Sequence, residues 1–328
     1  MRNFEWVTPI GVTAVAVAIG LGTGLGDGMG ALVVPWICIH ALLAMAMRLV
    51  MQAGEINLAV GAFYGIGAYT AAQMNLLLEA PLLISVLAGG LLAGLASLVF
   101  GVLVLRVSGA AFILVTFAAN EVFRLTLTKT DWVGGNSGIV GVFADPRATV
   151  IAMVIITGVV ALLLVMLERS RLGRQFAAVE NKPLLASFGG INPRSVKLFA
   201  LVVAGVISGV AGGLFAHYSS VVAPPDFSYM ISITVLAFVM IGGRDYLVGA
   251  VIGAAFLTLL TEEMRMLGAY EPLIYGGALM VAMVVMPKGL VGTAHLGLNR
   301  LRSSRSSKPD QPEDLDPTPS EMEKERAS

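Results

Sequence analysis

Long apolar stretches separated by short polar segments run along the chain from its start to about residue 291. A helix needs about 20 mostly apolar residues to cross a bilayer, with a range of about 17 to 25. On this criterion the pattern predicts an all-α, polytopic transmembrane bundle of eight to ten spans. The candidate spans are 9–25, 31–51, 58–78, 82–105, 110–127, 149–167, 196–217, 230–241, 247–267 and 273–286.

The stretch at 230–241 is too short to cross a bilayer alone, so we predict a re-entrant or broken helix there. At the N-terminus, Arg2 followed by the apolar stretch 9–25 is compatible with a signal peptide. No small-x-small cleavage site precedes the next apolar stretch, which favours a retained first span. The tail 299–328 is rich in Ser, Pro, Asp and Glu and predicts a disordered cytosolic segment after a permease domain at 1–298.

The positions of Lys and Arg predict the orientation, because cytoplasmic loops of membrane proteins carry an excess of these residues. With the N-terminus inside, the opposite side receives only Lys129 and Arg147 in its loops, plus Arg124 and Arg265 near helix ends. Both termini are therefore predicted to be cytosolic. The cytosolic positive residues are then Arg2, Arg48, Arg106, Arg244, Lys288 and those of the long 168–197 loop.

Composition supports a membrane protein that is not itself an enzyme. The chain of 328 residues is 57% hydrophobic and 13% charged, with a mean hydropathy of +0.85. A single cysteine, Cys38, excludes an internal disulfide, and the three histidines are far apart, so we predict no metal site and no cofactor. No Gly-x-x-x-x-Gly-Lys-Ser/Thr motif is present, so any ATP hydrolysis must be carried out by another protein.

Polar residues inside predicted spans mark candidate pathway or gate positions, because a charge at the centre of a bilayer costs at least ~2.5 kcal/mol. Glu121 and Arg124 are three residues apart and share a helix face, where they either line a pathway or lock two helices. Glu55 and Asn57 lie where irregular backbone is tolerated only if it is buried in protein or lines water. Together with Asn120, these residues form our predicted pathway set.

The 168–197 loop contains a predicted short helix outside the membrane. The loop begins with clustered charge at Arg169, Arg171 and Arg174. Asn181-Lys182-Pro183 then predicts a helix start and Gly189-Gly190 predicts its end. The intervening Leu184-Leu185-Ala186-Ser187-Phe188 has an apolar face that needs a partner or packs back onto the bundle.

Several short motifs occur in order along the chain. They are Ala53-Gly54-Glu55-Ile56-Asn57-Leu58, Phe63-Tyr64-Gly65-Ile66-Gly67-Ala68-Tyr69-Thr70, Gly134-Gly135-Asn136-Ser137-Gly138-Ile139, Arg169-Ser170-Arg171-Leu172-Gly173-Arg174, Gly190-Ile191-Asn192 leading to Lys197-Leu198, Ala216-His217-Tyr218, Gly242-Gly243 and Pro287-Lys288-Gly289-Leu290. In order and spacing, over about residues 41–291, they resemble the permeases of branched-chain amino-acid ABC importers of the LivM type.

The resemblance implies a multi-pass permease of the bacterial inner membrane, in contact with lipids and not with nucleic acid. It implies a heteromeric importer with a second homologous permease, two cytosolic ABC ATPases and a periplasmic or lipid-anchored solute-binding protein. The segment 184–192 matches the family's coupling segment, which docks on the ATPase. The residues assigned to ATPase coupling are Arg169, Arg171, Arg174, Pro183, Leu184, Phe188, Gly190, Ile191 and Asn192.

The chain departs from similar permeases, which commonly have Arg-Glu-x-Glu in place of Glu180-Asn181-Lys182-Pro183, an acidic residue at Ser187 and Gln at Glu55. These departures bear on the partner ATPase and on the solute. The predicted solutes are branched-chain amino acids or related small polar molecules, with urea or amides as the alternative within the family.

An ion-coupled secondary transporter, in which Glu55 or Glu121 takes a proton, is the main rival. A membrane enzyme or structural scaffold is disfavoured, since no nucleophile–base pair or metal set is found.

Overall fold

The computed structural model describes residues 29–142 and 145–264, together with Gly276, Gly277 and Gly289. The predicted spans at 9–25 and 273–286 and the predicted tail at 299–328 lie outside the described residues. Within them the chain is a helical bundle, which confirms the predicted fold class. Its helices are α1 Met29–Gln52, α2 Val60–Leu78, α3 Leu82–Val104, α4 Ala110–Lys129, α5 Pro146–Arg169, α6 Arg171–Asn181, α7 Pro183–Phe188, α8 Pro193–Ser219, α9 Tyr229–Gly242 and α10 Leu247–Met264.

Eight of these helices correspond to the eight predicted spans between residues 31 and 267. Their boundaries agree within three residues, apart from the start of α1 and the end of α10, which coincide with the limits of the described residues. Six of them (α1, α3, α4, α5, α8 and α10) are long and apolar enough to cross a membrane. Helix α9 has only 14 residues, or about 21 Å at 1.5 Å per residue, against a hydrocarbon layer of about 30 Å. This confirms that α9 is too short to cross a bilayer alone.

Chain direction gives the bundle two ends. We call one the α6–α7 end, because α6 and α7 lie there together with the last turns of α1, α3 and α5. The first turns of α4, α8 and α10 reach the same end, since each follows a short connection. At the opposite end lies the 130–142 loop, whose β1 strand Ile139–Val140 pairs antiparallel with β2, Val221–Val222. This two-residue ladder, which the sequence analysis did not predict, joins the loop to the segment that follows α8.

Close backbone contact between α2, α3 and α8 forms the most tightly packed part of the bundle. A Cβ added to Gly67 would lie 2.1 Å from the carbonyl oxygen of Gly209, and one added to Gly209 would lie 2.7 Å from that of Gly89. A Cβ on Gly89 would in turn lie 2.6 Å from the carbonyl oxygen of Gly67. Helices in lipid associate mainly through such close packing of small residues. The three glycines therefore fix these helices as one unit.

Two non-helical segments interrupt the bundle, at residues 53–59 between α1 and α2 and at 220–228 between α8 and α9. The second contains the 3-10 helix Pro224–Phe227, whose Phe227 is fully buried. Because α9 is too short to cross the hydrocarbon layer alone, we expect the segment before it to continue into that layer. Polar backbone groups in both segments must then find partners inside the protein.

Replacing Gly67 with Val is expected to separate α2 from α8, because the new side chain collides with backbone that cannot rotate away. Overpacked cores lose about 1 to 3 kcal/mol, and a collision with backbone is expected to exceed that range. The measurement is the yield of monodisperse protein and its Tm after detergent extraction. Gly189→Ala is the control, since its Cβ would lie 3.4 Å from the nearest atom and the site is exposed. Equal yields and Tm values for the two variants would contradict the assignment.

Candidate functional site

Four polar side chains from different parts of the chain meet around the start of α2, and all four are fully buried. They are Asn57, Thr116, Asn120 and Ser232. The first backbone N–H groups of a helix have no partner within that helix. Here the Leu58 N–H donates to Thr116 Oγ1 at 3.1 Å and the Gly61 N–H donates to Ser232 Oγ at 3.1 Å. We call these four residues the polar cluster.

The polar cluster also joins the two non-helical segments. Asn120 Nδ2 donates to the carbonyl oxygen of Phe227 at 3.0 Å, and a Cβ on Gly61 would lie 3.2 Å from that same oxygen. Asn57 Oδ1 accepts a hydrogen bond from the Ala59 N–H at 2.9 Å. The start of α2, the middle of α4 and the approach to α9 are therefore held together by side-chain to backbone hydrogen bonds.

Two amide atoms of the cluster are buried without a hydrogen-bond partner among the described residues, Asn57 Nδ2 and Asn120 Oδ1. One is a donor and the other an acceptor. Leaving such a group unsatisfied costs about 1–3 kcal/mol. The cluster therefore retains hydrogen-bonding capacity that this arrangement of the helices does not use.

Glu121 and Arg124 form the ion pair that their spacing predicts, with Arg124 Nε donating to Glu121 Oε2 at 2.9 Å. Glu121 Oε1 also accepts from the Tyr229 N–H at 3.1 Å, so this residue joins α4 to the first residue of α9. Both charged side chains are partly exposed on α4. Beside them, Leu114 and Val122 are largely exposed, so α4 presents an uncovered face that combines apolar side chains with an ion pair.

Glu55 is buried at the α6–α7 end and both of its carboxylate oxygens have partners. Lys197 Nζ donates to Oε1 at 2.6 Å, and the Gly109 N–H donates to Oε2 at 3.1 Å. Gly109 directly precedes α4 and has a φ of +63°, which glycine adopts readily. A single carboxylate therefore connects the 53–59 segment with the first turns of α8 and α4.

Arg48 is an additional buried charge at this end, only 1% exposed, which the sequence analysis used only for orientation. It forms an ion pair with Glu168 at the end of α5. Its guanidinium also donates to the carbonyl oxygens of Arg244 and Asp245 at 2.9 and 3.0 Å, so α1, α5 and the turn between α9 and α10 share one cation. The signal available in the sequence was a lone arginine within an apolar helix, which requires partners.

A second ion pair, between Glu180 of α6 and Arg244, lies at the protein surface beside Arg48. Both residues line a cavity of about 120 Å³ together with Met51, Gln52 and Asp245. The cavity is small and open to solvent. The cavity lies where α6 meets the turn between α9 and α10.

Helix α6 occupies the start of the 168–197 loop, where the sequence indicated only clustered charge. Ser170 caps it by accepting from the Leu172 N–H at 3.1 Å, and its Phe176 and Val179 are buried. The Phe176 ring packs on Phe199 of α8 with 6.4 Å between ring centroids. The helix was not recognised from the sequence because of its charged residues, although Leu172, Phe176 and Val179 have helical spacing.

Helix α7 was predicted correctly, and it begins at Pro183 and ends at Phe188. Its apolar face does not pack back onto the bundle, because Leu184 is 71% and Phe188 80% exposed. Ala186 alone among its residues is buried. Of the two alternatives for this face, packing onto the bundle or contact with a partner, the first is not seen, and the face lacks a partner within the described part of the chain.

The remaining residues assigned to coupling lie on the same surface as α7. Arg171 and Arg174 are exposed on α6, and Arg169 ends α5. Gly190 has a φ of +78°, and Asn192 caps α8 by accepting from the Arg194 N–H at 3.1 Å. Ile191 lies between them. The predicted coupling residues thus lie in and beside α6 and α7. Of the predicted pathway residues, Glu55 lies at the α6–α7 end, Asn57 and Asn120 belong to the polar cluster, and Glu121 and Arg124 form a partly exposed pair on α4.

Comparisons with known proteins agree with this architecture. A family model described as "Branched-chain amino acid transport system / permease component" matches residues 29–286. The high-affinity branched-chain amino acid transport system permease protein LivM of Escherichia coli K12 is 30% identical over 291 residues, which covers 77% of this chain and 68% of LivM. LivM of Salmonella typhimurium matches with the same identity and coverage.

The similarity extends to a permease for a different solute. The ribose import permease protein RbsC of Bacillus subtilis is 27% identical over 268 residues, which covers 76% of this chain and 81% of RbsC. No solved structure matches the chain. From the family match and the LivM similarity, this chain belongs to the branched-chain amino acid transport system permease family and is a multi-pass permease subunit of an ABC importer.

Proposed function

We propose that the chain carries branched-chain amino acids, or chemically related small polar solutes, across a bacterial inner membrane. The similarity to LivM supports the amino acids, and the more distant similarity to RbsC supports a family that handles polar solutes in general. The observation that carries the mechanism is the exposed apolar face of α7. The energy for transport comes from two cytosolic ABC ATPases, because the chain has no nucleotide-binding motif of its own.

The docking surface for the ATPase consists of Leu184, Leu185 and Phe188, flanked by Arg171 and Arg174. A protein exposes an apolar patch of this kind when a partner covers it. An aromatic residue at the centre and arginines at the rim match the usual composition of protein interfaces. Gly190, Ile191 and Asn192 then set the direction in which α8 leaves the docking surface.

The permease face that meets a second, homologous permease is the uncovered face of α4. Within the described part of the chain most of α4 is exposed, whereas most of α8 is buried. Glu121 and Arg124 on that face are neutralised by each other but are costly to expose to lipid. A pathway between two permeases provides both the cover and the water that such a pair needs.

The polar cluster lies beside this face and serves as the gate. Asn57 and Asn120 contribute one amide atom each that has no hydrogen-bond partner among the described residues, and Glu55 holds the Gly109 N–H at the α6–α7 end of the same region. ATP-driven movement of the 168–197 segment would separate the segments that meet at the cluster. A solute-binding protein would deliver the solute at the opposite end of the bundle.

Labelling is expected to place the α6–α7 end in the cytosol, because Arg48, Arg106, Arg244 and the 168–197 segment concentrate positive charge there. A cysteine at the exposed position Ser187 should react with a membrane-impermeant maleimide only in inside-out vesicles. A cysteine at the exposed position Asn136 should react in intact cells. The native Cys38 is buried and gives little background. Reaction of the Ser187→Cys variant in intact cells would reverse the orientation and refute ATPase docking on α7.

Phe188→Asp is expected to weaken ATPase binding, because it places a charge at the centre of an apolar contact. Hot-spot side chains contribute about 2 kcal/mol or more, which corresponds to about a thirtyfold loss of affinity. Co-purification of the ATPase with the permease from detergent measures the effect. Ser187→Asp is the matched control, because it adds the same charge one residue earlier, at an exposed position outside the proposed docking surface. Normal ATPase binding by the Phe188→Asp variant would refute the docking surface.

Uptake by the complete importer in proteoliposomes is expected to depend on ATP and to continue when an ionophore collapses the proton gradient. Unlabelled leucine, isoleucine and valine should compete with radiolabelled leucine, whereas ribose and urea should not. Loss of uptake with the ionophore, at constant ATP, would favour the ion-coupled rival in which Glu55 or Glu121 takes a proton. Competition by urea alone would favour the amide alternative.

A further inference from the structure

Three ion pairs fasten the 168–197 segment to the rest of the bundle, one at its start, one in its middle and one at its end. They are Glu168–Arg48, Glu180–Arg244 and Lys197–Glu55. We propose that Lys197 and Glu55 are positioning residues that transmit movement of the ATPase-bound segment to the gate. This inference rests on the proposed function and assigns a role within it that the family match does not supply.

The burial and hydrogen bonding of the Lys197–Glu55 pair suit it to transmit movement from the 168–197 segment to the polar cluster. Glu55 is 3% and Lys197 16% exposed at the side chain, so solvent screens their interaction only weakly. Glu55 uses both carboxylate oxygens, one on Lys197 and one on the Gly109 N–H. Charge-assisted hydrogen bonds of this kind are short and roughly twice as strong as neutral ones. The pair therefore forms a stiff connection between three chain segments.

The other two pairs connect different elements. Arg244 is 52% exposed, and an exposed ion pair such as Glu180–Arg244 contributes little. Arg48 is buried, but its partners are Glu168 and the carbonyl oxygens of the turn between α9 and α10. Of the three pairs, only Lys197–Glu55 reaches the first residue before α4.

The connection continues from Glu55 to the polar cluster along two routes. Along the first, Glu55 lies three residues before Leu58, whose N–H donates to Thr116. Along the second, Glu55 holds Gly109, and α4 runs from there as a continuous helix through Thr116 to Asn120. Leu58 is thus linked to Glu55 through two intervening residues of the chain, and Thr116 is linked to it through Gly109 and the first turns of α4.

Lys197 lies in the first turns of α8, nine residues after Phe188 at the end of α7. A force applied to α7 by an ATPase therefore reaches Lys197 through a short segment that is itself capped by Asn192. Because packed elements switch between discrete arrangements, a small displacement here can change which contacts form at the cluster. Breaking the pair should leave ATPase docking intact and disconnect the gate.

The test compares Lys197→Met, which removes the charge, with Lys197→Arg, which keeps it. Complete transporters in proteoliposomes are assayed for ATP hydrolysis and for uptake of radiolabelled leucine. For Lys197→Met we expect hydrolysis within about twofold of the unmodified transporter and uptake per ATP reduced at least about tenfold, because the buried Glu55 carboxylate loses the partner that ties it to α8. Lys197→Arg should retain most of the uptake. Glu55→Gln, which keeps an acceptor for the Gly109 N–H, should lose coupling as Lys197→Met does.

A second measurement does not depend on the solute. A cysteine at the exposed position Val115 of α4 is labelled with and without ATP. ATP should change the labelling rate in the unmodified background and leave it unchanged in Lys197→Met. A parallel loss of hydrolysis and uptake, unchanged uptake per ATP, or an ATP response in Lys197→Met would overturn the proposal.

Assembly with the ATPases shows whether a variant has lost coupling or has failed to fold. If Lys197→Met and Glu55→Gln do not assemble with the ATPases while Lys197→Arg does, the pair supports folding and the proposal is refuted. If the unmodified chain itself does not bind ATPases, the proposed function fails instead. If it binds them but does not import leucine, the solute assignment fails, and the labelling of α4 still decides the role of the pair.

Discussion

The absence of water from the hydrocarbon layer is the constraint on which this structure depends, because every backbone polar group there must find a partner within the protein. Helices meet this requirement internally, but the segments 53–59 and 220–228 do not. Thr116, Ser232 and Asn120 supply the missing partners from neighbouring elements. The positions of buried polar residues therefore follow from the two breaks in the helical pattern. A bundle of uninterrupted helices would have needed none of them.

The same bundle combines a rigid part with a loosely held one. At Gly67 and Gly209 the backbones of α2 and α8 touch, so neither helix can move without the other. Helix α4 packs sparsely against the rest of the chain and is held mainly by hydrogen bonds, including those of Glu121 and Glu55. Directional bonds can be exchanged for others, whereas close packing resists gradual change. This contrast supports the proposal that a second subunit covers α4 and that coupling displaces it.

The sequence predicted the helices well because length and apolarity are strong local signals, and α7 was found from Pro183 and Gly189 alone. It missed α6, whose buried residues Phe176 and Val179 follow the charged residues Arg171 and Arg174 in the same helix. The sequence could not identify the ion-pair partners, for a different reason. Glu55 and Lys197 are 142 positions apart, and only the packing of α8 beside the 53–59 segment brings them together. Asn57 and Asn120 were predicted from the sequence as pathway or gate residues, but their unpaired amide atoms are a property of the folded chain.

The chemistry of the proposed pathway is compatible with the similarity of this chain both to a branched-chain amino acid permease and to a ribose permease. Asn57, Asn120 and Ser232 are neutral, and the only charges proposed for the α4 face, on Glu121 and Arg124, neutralise each other. Such a surface can exchange hydrogen bonds with a zwitterion or a sugar without binding either strongly. Weak binding favours passage, because a solute held tightly in the pathway would not leave it. Selection among solutes is then better placed in a separate binding protein, and the permease needs only a gate whose opening is tied to ATP.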